Sequence, residues 1–255
     1  MRKVLSILLG VLLFVQVLVS QTAFADDPSE DDWESLLNPG RDYLVVIDED
    51  HPFEFGGDYE TALLPDLVRT SDVYYGATAR VEQAAFLAFT KLQFLLEQKG
   101  IRIGLFGGGA GYRTYDQQKG VYDYYSELPG WGYKIDENGK KIILNSVAEP
   151  GLSEHHTGLL LNIVYIMEVE EDGETKGIWA TETAERVVAS PEFFQTLHET
   201  LWECGFITRY PLGEEEITGV YGQIQEIRFV GSREIAYEIY SRGICLEEYL
   251  AEQTP

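Results

Sequence analysis

The segment Pro150-Gly151-Leu152-Ser153-Glu154-His155-His156-Thr157-Gly158 carries two of the chain's four histidines. Imidazole is the side chain best suited to ligate a metal or move a proton near neutral pH, and it serves as often in structural hydrogen bonds. By residue type alone His155 is open to all three roles, while His51, His156 and His198 read as surface or hydrogen-bonded histidines. His198-Glu199 begins like a zincin helix, but Trp202 stands where the second histidine of that motif belongs. Serine catalysis finds no footing: no Ser has Lys three positions later and no Gly-x-Ser-x-Gly occurs. The run Gly107-Gly108-Gly109-Ala110-Gly111 lacks both the Lys-Ser/Thr ending of a phosphate loop and dinucleotide spacing, and reads as a close backbone turn leading to Arg113. A guanidinium there can grip a carboxylate through two parallel hydrogen bonds. With 43 acidic against 19 basic side chains in the chain, it can equally pair within the protein.

Four further stretches keep a fixed order around His155: Gly111-Tyr112-Arg113-Thr114-Tyr115, Gly205-Phe206-Ile207-Thr208-Arg209-Tyr210-Pro211, Arg228-Phe229-Val230-Gly231 and Leu246-Glu247-Glu248-Tyr249-Leu250. Together, from about Asp42 to about Leu250, they resemble the VanY-like D-alanyl-D-alanine carboxypeptidases. The resemblance implies a zinc held by a His and an Asp in Ser-x-His-x-x-Gly-x-x-x-Asp, and by a second His three residues after a catalytic Glu. Ser153, His155 and Gly158 match that pattern. The Asp position is Asn162, and counting back from Arg228 the Glu-Pro-Trp-His segment becomes Gln223-Ile224-Gln225-Glu226. The resemblance further implies that Arg113, Gln118 and Ser153 contact substrate, and that the ligand is a stem peptide of peptidoglycan.

These substitutions have chemical consequences. A zinc peptidase needs three protein ligands, an open position for water and a nearby carboxylate to take that water's proton. Gln223 has the shape of Glu, but an amide does not accept a proton at neutral pH, and general-base help is worth ~10²–10⁴ in rate. Asn162 offers a neutral carbonyl for a carboxylate, and Glu226 an oxygen for an imidazole nitrogen, so zinc affinity should fall. The number of anionic ligands is unchanged, because Glu226 gains the charge that Asn162 loses. Such a site leans toward no metal, weak zinc or a harder divalent ion. The expected protein is therefore a pseudopeptidase that binds wall peptide or regulates a partner. The alternative is a divergent D,D- or L,D-carboxypeptidase in which Glu226 or Glu154 supplies the base.

Residues 1–25 combine Arg2 and Lys3, an apolar run and Ala23-Phe24-Ala25, the pattern of a secretory signal. Its loss would take the formal charge from −24 to −26. That balance disfavours nucleic acid and anionic lipid as partners, and no later segment offers the ~18 apolar residues of a membrane span. An exported, envelope-associated protein is expected. Export permits a disulfide between Cys204 and Cys245, and two small buried thiols are the other reading.

The elements that must position these groups follow from pattern. Residues 26–41 read as an acidic tether and 42–252 as one carboxypeptidase-like domain. Strands are expected at 44–47, 101–106, 159–166, 206–210 and 224–230, with an acidic turn around Asp172-Gly173. Residues 78–98 carry apolar positions at helical spacing and stop at Gly100, and further helices are expected near 183–189 and 192–204. The aromatic stretch from Tyr115 to Tyr133 reads either as a ligand groove or as ordinary core. The fold class is α+β: an antiparallel sheet bearing the site on one face, with helices packed on the other. Alternation places Ile224, Glu226 and Arg228 on one strand face.

Overall fold

The computed structural model describes residues 33–70, 78–171, 174–180 and 191–253. The leader at 1–25, residues 26–32 of the expected tether, the turn tip Asp172-Gly173 and the helix expected near 183–189 lie outside the described residues. Along the chain run α1 (Asp58–Leu63), β1 (Leu67–Arg69), β2 (Arg80–Glu82), α2 (Gln83–Gln98), β3 (Ile103–Leu105) and α3 (Tyr115–Tyr125). They are followed by β4 (Tyr133–Ile135), β5 (Lys141–Ile143), β6 (Leu160–Glu171), β7 (Glu174–Ala180), α4 (Pro191–Leu201) and β8 (Phe206–Tyr210). The last elements are α5 (Glu215–Thr218), β9 (Gln223–Phe229), α6 (Arg233–Arg242) and α7 (Leu246–Gln253).

The expected α+β architecture is what forms: a single domain built on an antiparallel sheet ordered β3-β6-β9-β8, with β7 paired to β6. The long strand β6 organises it. Residues 160–162 pair with 228–226 of β9, residues 163–165 with 105–103 of β3, and residues 165–171 with 180–174 of β7. Side chains alternate across a strand, so Leu159, Leu161 and Ile163 enter the helix-covered core while Asn162 faces the other way. On β9, Ile227 and Phe229 join that core, and Glu226 and Arg228 take the opposite face, as alternation required.

Helix α2 covers the apolar face. Ala84, Ala85, Ala88, Phe89, Leu92 and Leu96 recur at helical spacing and are all buried. The helix starts at Gln83 instead of residue 78, because residues 80–82 pair with β1 and the Glu82 carboxylate caps the helix by accepting from the Ala85 N–H at 2.9 Å. A second apolar cluster joins Ile207 and Val230 to Ala236, Ile239, Leu246 and Tyr249 of the C-terminal helices.

Two expectations need correction. Residues 44–47 form no strand: the carbonyls of Tyr43 and Val45 are turned to the Arg228 guanidinium, at 3.1 and 2.9 Å, instead of to a ladder. The tether does not reach residue 41, since Trp33 is 1% exposed, packs edge-on to Phe229 and belongs to the core. The aromatic stretch opens as α3, where Thr114 and Gln117 close a reciprocal capping box. Cys204 and Cys245 are free and buried.

Candidate active site

The loop bearing His155 is shaped by its neighbours in sequence. Ser153 caps a short 3-10 helix (Glu154–Thr157) by accepting from the His155 N–H at 3.3 Å, and Gly158 ends it at φ +70°. A side chain at 158 would be strained and would meet Leu67 at 3.0 Å. The glycine run does the complementary work. A Cβ on Gly111 would lie 2.3 Å from the Arg80 carbonyl, so only glycine lets the chain pass β2 this closely. That approach aims the Gly111 carbonyl at His155 Nδ1, 2.8 Å away, and the Arg113 N–H at the His155 carbonyl, 3.1 Å away.

A carbonyl only accepts, so Nδ1 of His155 carries the proton, and the Nε2 lone pair of the neutral ring points inward. Burial, with the Arg113 charge beside it, pushes the His155 pKa down. Nε2 faces Glu226 Oε1 at 3.4 Å, and the Asn162 amide donates to that same oxygen at 3.2 Å. Asn162 and Glu226 meet because they are direct cross-strand partners on β6 and β9. All three line a cavity of about 250 Å³, together with Arg113, Gln118, Ser153 and Gln223.

Gln223 reaches the cavity through an irregularity. Three positions from Glu226, it belongs on the opposite face of a regular strand. The pairing with β8 is irregular between Thr208↔Ile227 and Tyr210↔Gln223, strict alternation lapses across this stretch of β9, and Gln223, Gln225 and Glu226 all line the cavity. The Gln223 amide donates to the Ser146 carbonyl at 2.6 Å. Arg113 is held by donation to the Gly109 carbonyl at 2.6 Å and to Gln118 Oε1 at 3.0 Å, and Gln118 in turn donates to the Ala148 carbonyl at 2.7 Å. Burial lowers the Arg113 pKa, and the Glu226 charge opposes that fall. Of the aromatic stretch, Tyr125 and Trp131 line the cavity, whereas Tyr115 and Tyr124 are exposed.

Glu154 is not available as a base. Its carboxylate is fully buried, takes Arg209 Nε and Nη2 at 2.9 and 2.8 Å, and lies 3.5 Å from Arg228 Nε. Burial opposes its ionisation, but the two guanidinium groups win and hold its pKa below the ordinary value. Arg209 also reaches Glu247 of α7 at 2.6 Å. Sequence reasoning missed this hub, although Glu154 beside His155 and Arg209 beside Tyr210 were its signals. It missed as well that Tyr210 lines the cavity and that His156 is wholly buried. His156 Nε2 accepts from the Gly151 N–H at 3.0 Å while Nδ1 donates to the Arg113 carbonyl at 2.6 Å, so this ring is a structural strut. His198 is exposed and sits 3.0 Å from Thr208 Oγ1.

The five-stranded antiparallel sheet carries a cavity lined by His155, Arg113 and Glu226 on the face opposite α2, and residues 78–232 match the VanY family, D-alanyl-D-alanine carboxypeptidase. The chain belongs to that family. It is 36% identical over 142 residues to the D-alanyl-D-alanine carboxypeptidase of Enterococcus faecalis, covering 55% of this chain and 46% of that relative. The chain thus spans about half the length of this curated relative. It is 26% identical over 231 residues to the putative carboxypeptidase YodJ of Bacillus subtilis, covering 89% of this chain and 73% of that one. Among solved structures it resembles a vancomycin-resistance D,D-pentapeptidase VanY mutant in complex with Zn(II), at TM-score 0.56 and 27% identity over 82% of this chain and 98% of that one. It also resembles VanYB in complex with D-alanine-D-alanine, at TM-score 0.55 and 25% identity over 82% and 97% of the two chains.

The donors here do not fit a tightly held catalytic zinc. His155 Nε2 is a proper ligand, but the Asn162 amide turns its N–H toward Glu226, and the neighbouring Gln223 is no base. Among the described residues no three of His, Cys, Asp and Glu gather as a cage.

Proposed function

We propose that this chain is an exported pseudopeptidase of the VanY family that binds a peptidoglycan stem peptide in the Arg113 cavity without efficient hydrolysis. The observation that carries this reading is Gln223. It stands at the family's base position, inside the cavity and pinned to the Ser146 carbonyl, where its amide does not take a proton from water. The binding half of the family's equipment is retained: Arg113 is aimed into the cavity by Gly109 and Gln118. Ser153 shapes the loop beside it and has its place in the same lining. Residues 1–25 act as the leader and the domain works outside the cytoplasm, where relatives named for D-Ala-D-Ala cleavage suggest that its ligand lies. No described helix is long and apolar enough to cross a membrane.

Purified protein is to be assayed on a pentapeptide ending in D-Ala-D-Ala, with and without zinc or manganese, alongside calorimetry with the same peptide. Binding without release of D-Ala is expected. Brisk, chelator-sensitive release would overturn the reading. It would favour a divergent metal-dependent carboxypeptidase, a view supported by the approach of His155 Nε2 and Glu226 Oε1 to 3.4 Å.

A further inference from the structure

The cavity gathers more acceptors than donors: the Asn162 amide donates to Glu226 Oε1 at 3.2 Å, and the other acceptors around it are unmatched. His155 Nε2 presents a lone pair, because Nδ1 is committed to the Gly111 carbonyl. Opposite it, 3.4 Å away, is Glu226 Oε1, a second acceptor, and both side chains are more than nine-tenths buried. Two lone-pair atoms facing each other in a buried site repel unless a donor lies against both. Glu226 Oε2 accepts no hydrogen bond from the described residues. A primary ammonium carries three N–H donors and matches a cluster of three such acceptors.

Charge points the same way. Arg113 already places one positive charge in the cavity, and its Nη2 has no partner among the described residues, while Glu226 supplies the one carboxylate of the lining. A divalent ion would leave the site with excess positive charge. An ammonium joined to a carboxylate balances it, with the ammonium on Glu226 and the carboxylate on Arg113. The volume of about 250 Å³ is below the ~300–1,000 Å³ of drug-sized sites, so the ligand is small.

We infer that the position where the family's metal would be held is rebuilt here to receive a primary ammonium, and that the cavity takes a small zwitterion, a D-amino acid or D-dipeptide with a free amino end. This rests on the reading that the cavity binds wall-derived peptide, and it narrows that ligand to forms whose amine is not acylated. Glu226 and His155 receive the amine, with Asn162 orienting the Glu226 carboxylate, and Arg113, oriented by Gln118, receives the carboxylate.

Calorimetry on the full chain in chelator, with D-alanine, D-Ala-D-Ala, N-acetyl-D-Ala-D-Ala and the acylated pentapeptide, tests it. D-Ala-D-Ala or D-alanine should bind about tenfold or more tightly than the acetylated dipeptide, and whichever of the two binds better assigns the source. Glu226→Gln, which keeps the side chain's shape, should remove that preference while the melting temperature stays within a few degrees. Equal or tighter binding of the acetylated dipeptide overturns the inference. If the pentapeptide then binds, the stem-peptide reading stands without it, whereas no binding by any probe removes that reading as well.

Discussion

Glu154 and His155 are neighbours in the chain, yet they serve two opposite kinds of polar cluster. Around Glu154 every charge has a counter-charge: Arg209 grips it with two N–H groups, Arg228 lies beside it, and Glu247 takes the other side of Arg209. Around His155 the acceptors outnumber the donors among the described residues, and Glu226 Oε1 takes its donor from the Asn162 amide. The first cluster ties the loop to β8, β9 and α7 and asks nothing of a ligand. The second is left incomplete by the protein itself. One short loop thus carries both a saturated framework of buried ion pairs and an unsaturated polar cavity.

The sharpest way to break this comparison is to reverse the substitutions. Gln223→Glu, Asn162→Asp and Glu226→His together should produce zinc uptake measurable by metal analysis, with release of D-Ala rising by ~10²-fold or more as a base returns. No gain in zinc would mean that these positions are not the ligand positions. Next in size is stability. Glu154→Gln leaves the buried Arg228 without its carboxylate neighbour and Arg209 with Glu247 alone, and should cost ~3–5 kcal/mol in denaturant unfolding. Glu226→Gln should cost under ~1 kcal/mol, because its carboxylate serves an open cavity. Similar losses for the two would erase the distinction drawn here.

A third effect comes from pH. Burial depresses the His156 pKa from 6.5 to about 4, so the folded ring stays neutral where the unfolded one binds a proton. The folded protein is at full advantage above pH 6.5 and loses stability as pH falls toward 4, by about 3 kcal/mol over that window. Glu154, whose pKa is also lowered, adds a loss of the same sign below its ordinary value of 4.5. Thermal melts across pH 4 to 7 should show this slope, and His156→Gln should flatten it. The smallest effect is on affinity: Arg113→Ala should weaken peptide or dipeptide binding about tenfold in calorimetry, with little change in melting temperature. A variant that melts early but binds normally would make Arg113 a structural residue.

Much of this molecule is written in local pattern. The 3.6-residue recurrence from Ala84 to Leu96 is enough to specify α2 and its buried face, because a helix closes its hydrogen bonds within itself. Alternation along β6 sends Leu161 and Ile163 to the core and Asn162 to the site, and the motif around His155 marks the loop that carries the imidazole. What tertiary structure decided depends on partners far away in sequence. Whether residues 44–47 join a ladder turned on Arg228, which draws the Tyr43 and Val45 carbonyls to itself. The tautomers of His155 and His156 are set by the carbonyls of Gly111 and Arg113. Gln223 and Glu226 share one cavity although an odd spacing on a regular strand points two side chains to opposite faces, and the pairing of β9 with β8 is irregular at that place. Residue types determine which groups are present to do chemistry. Strand register and the donors that meet each lone pair determine what those groups face, and these are properties of the assembled fold.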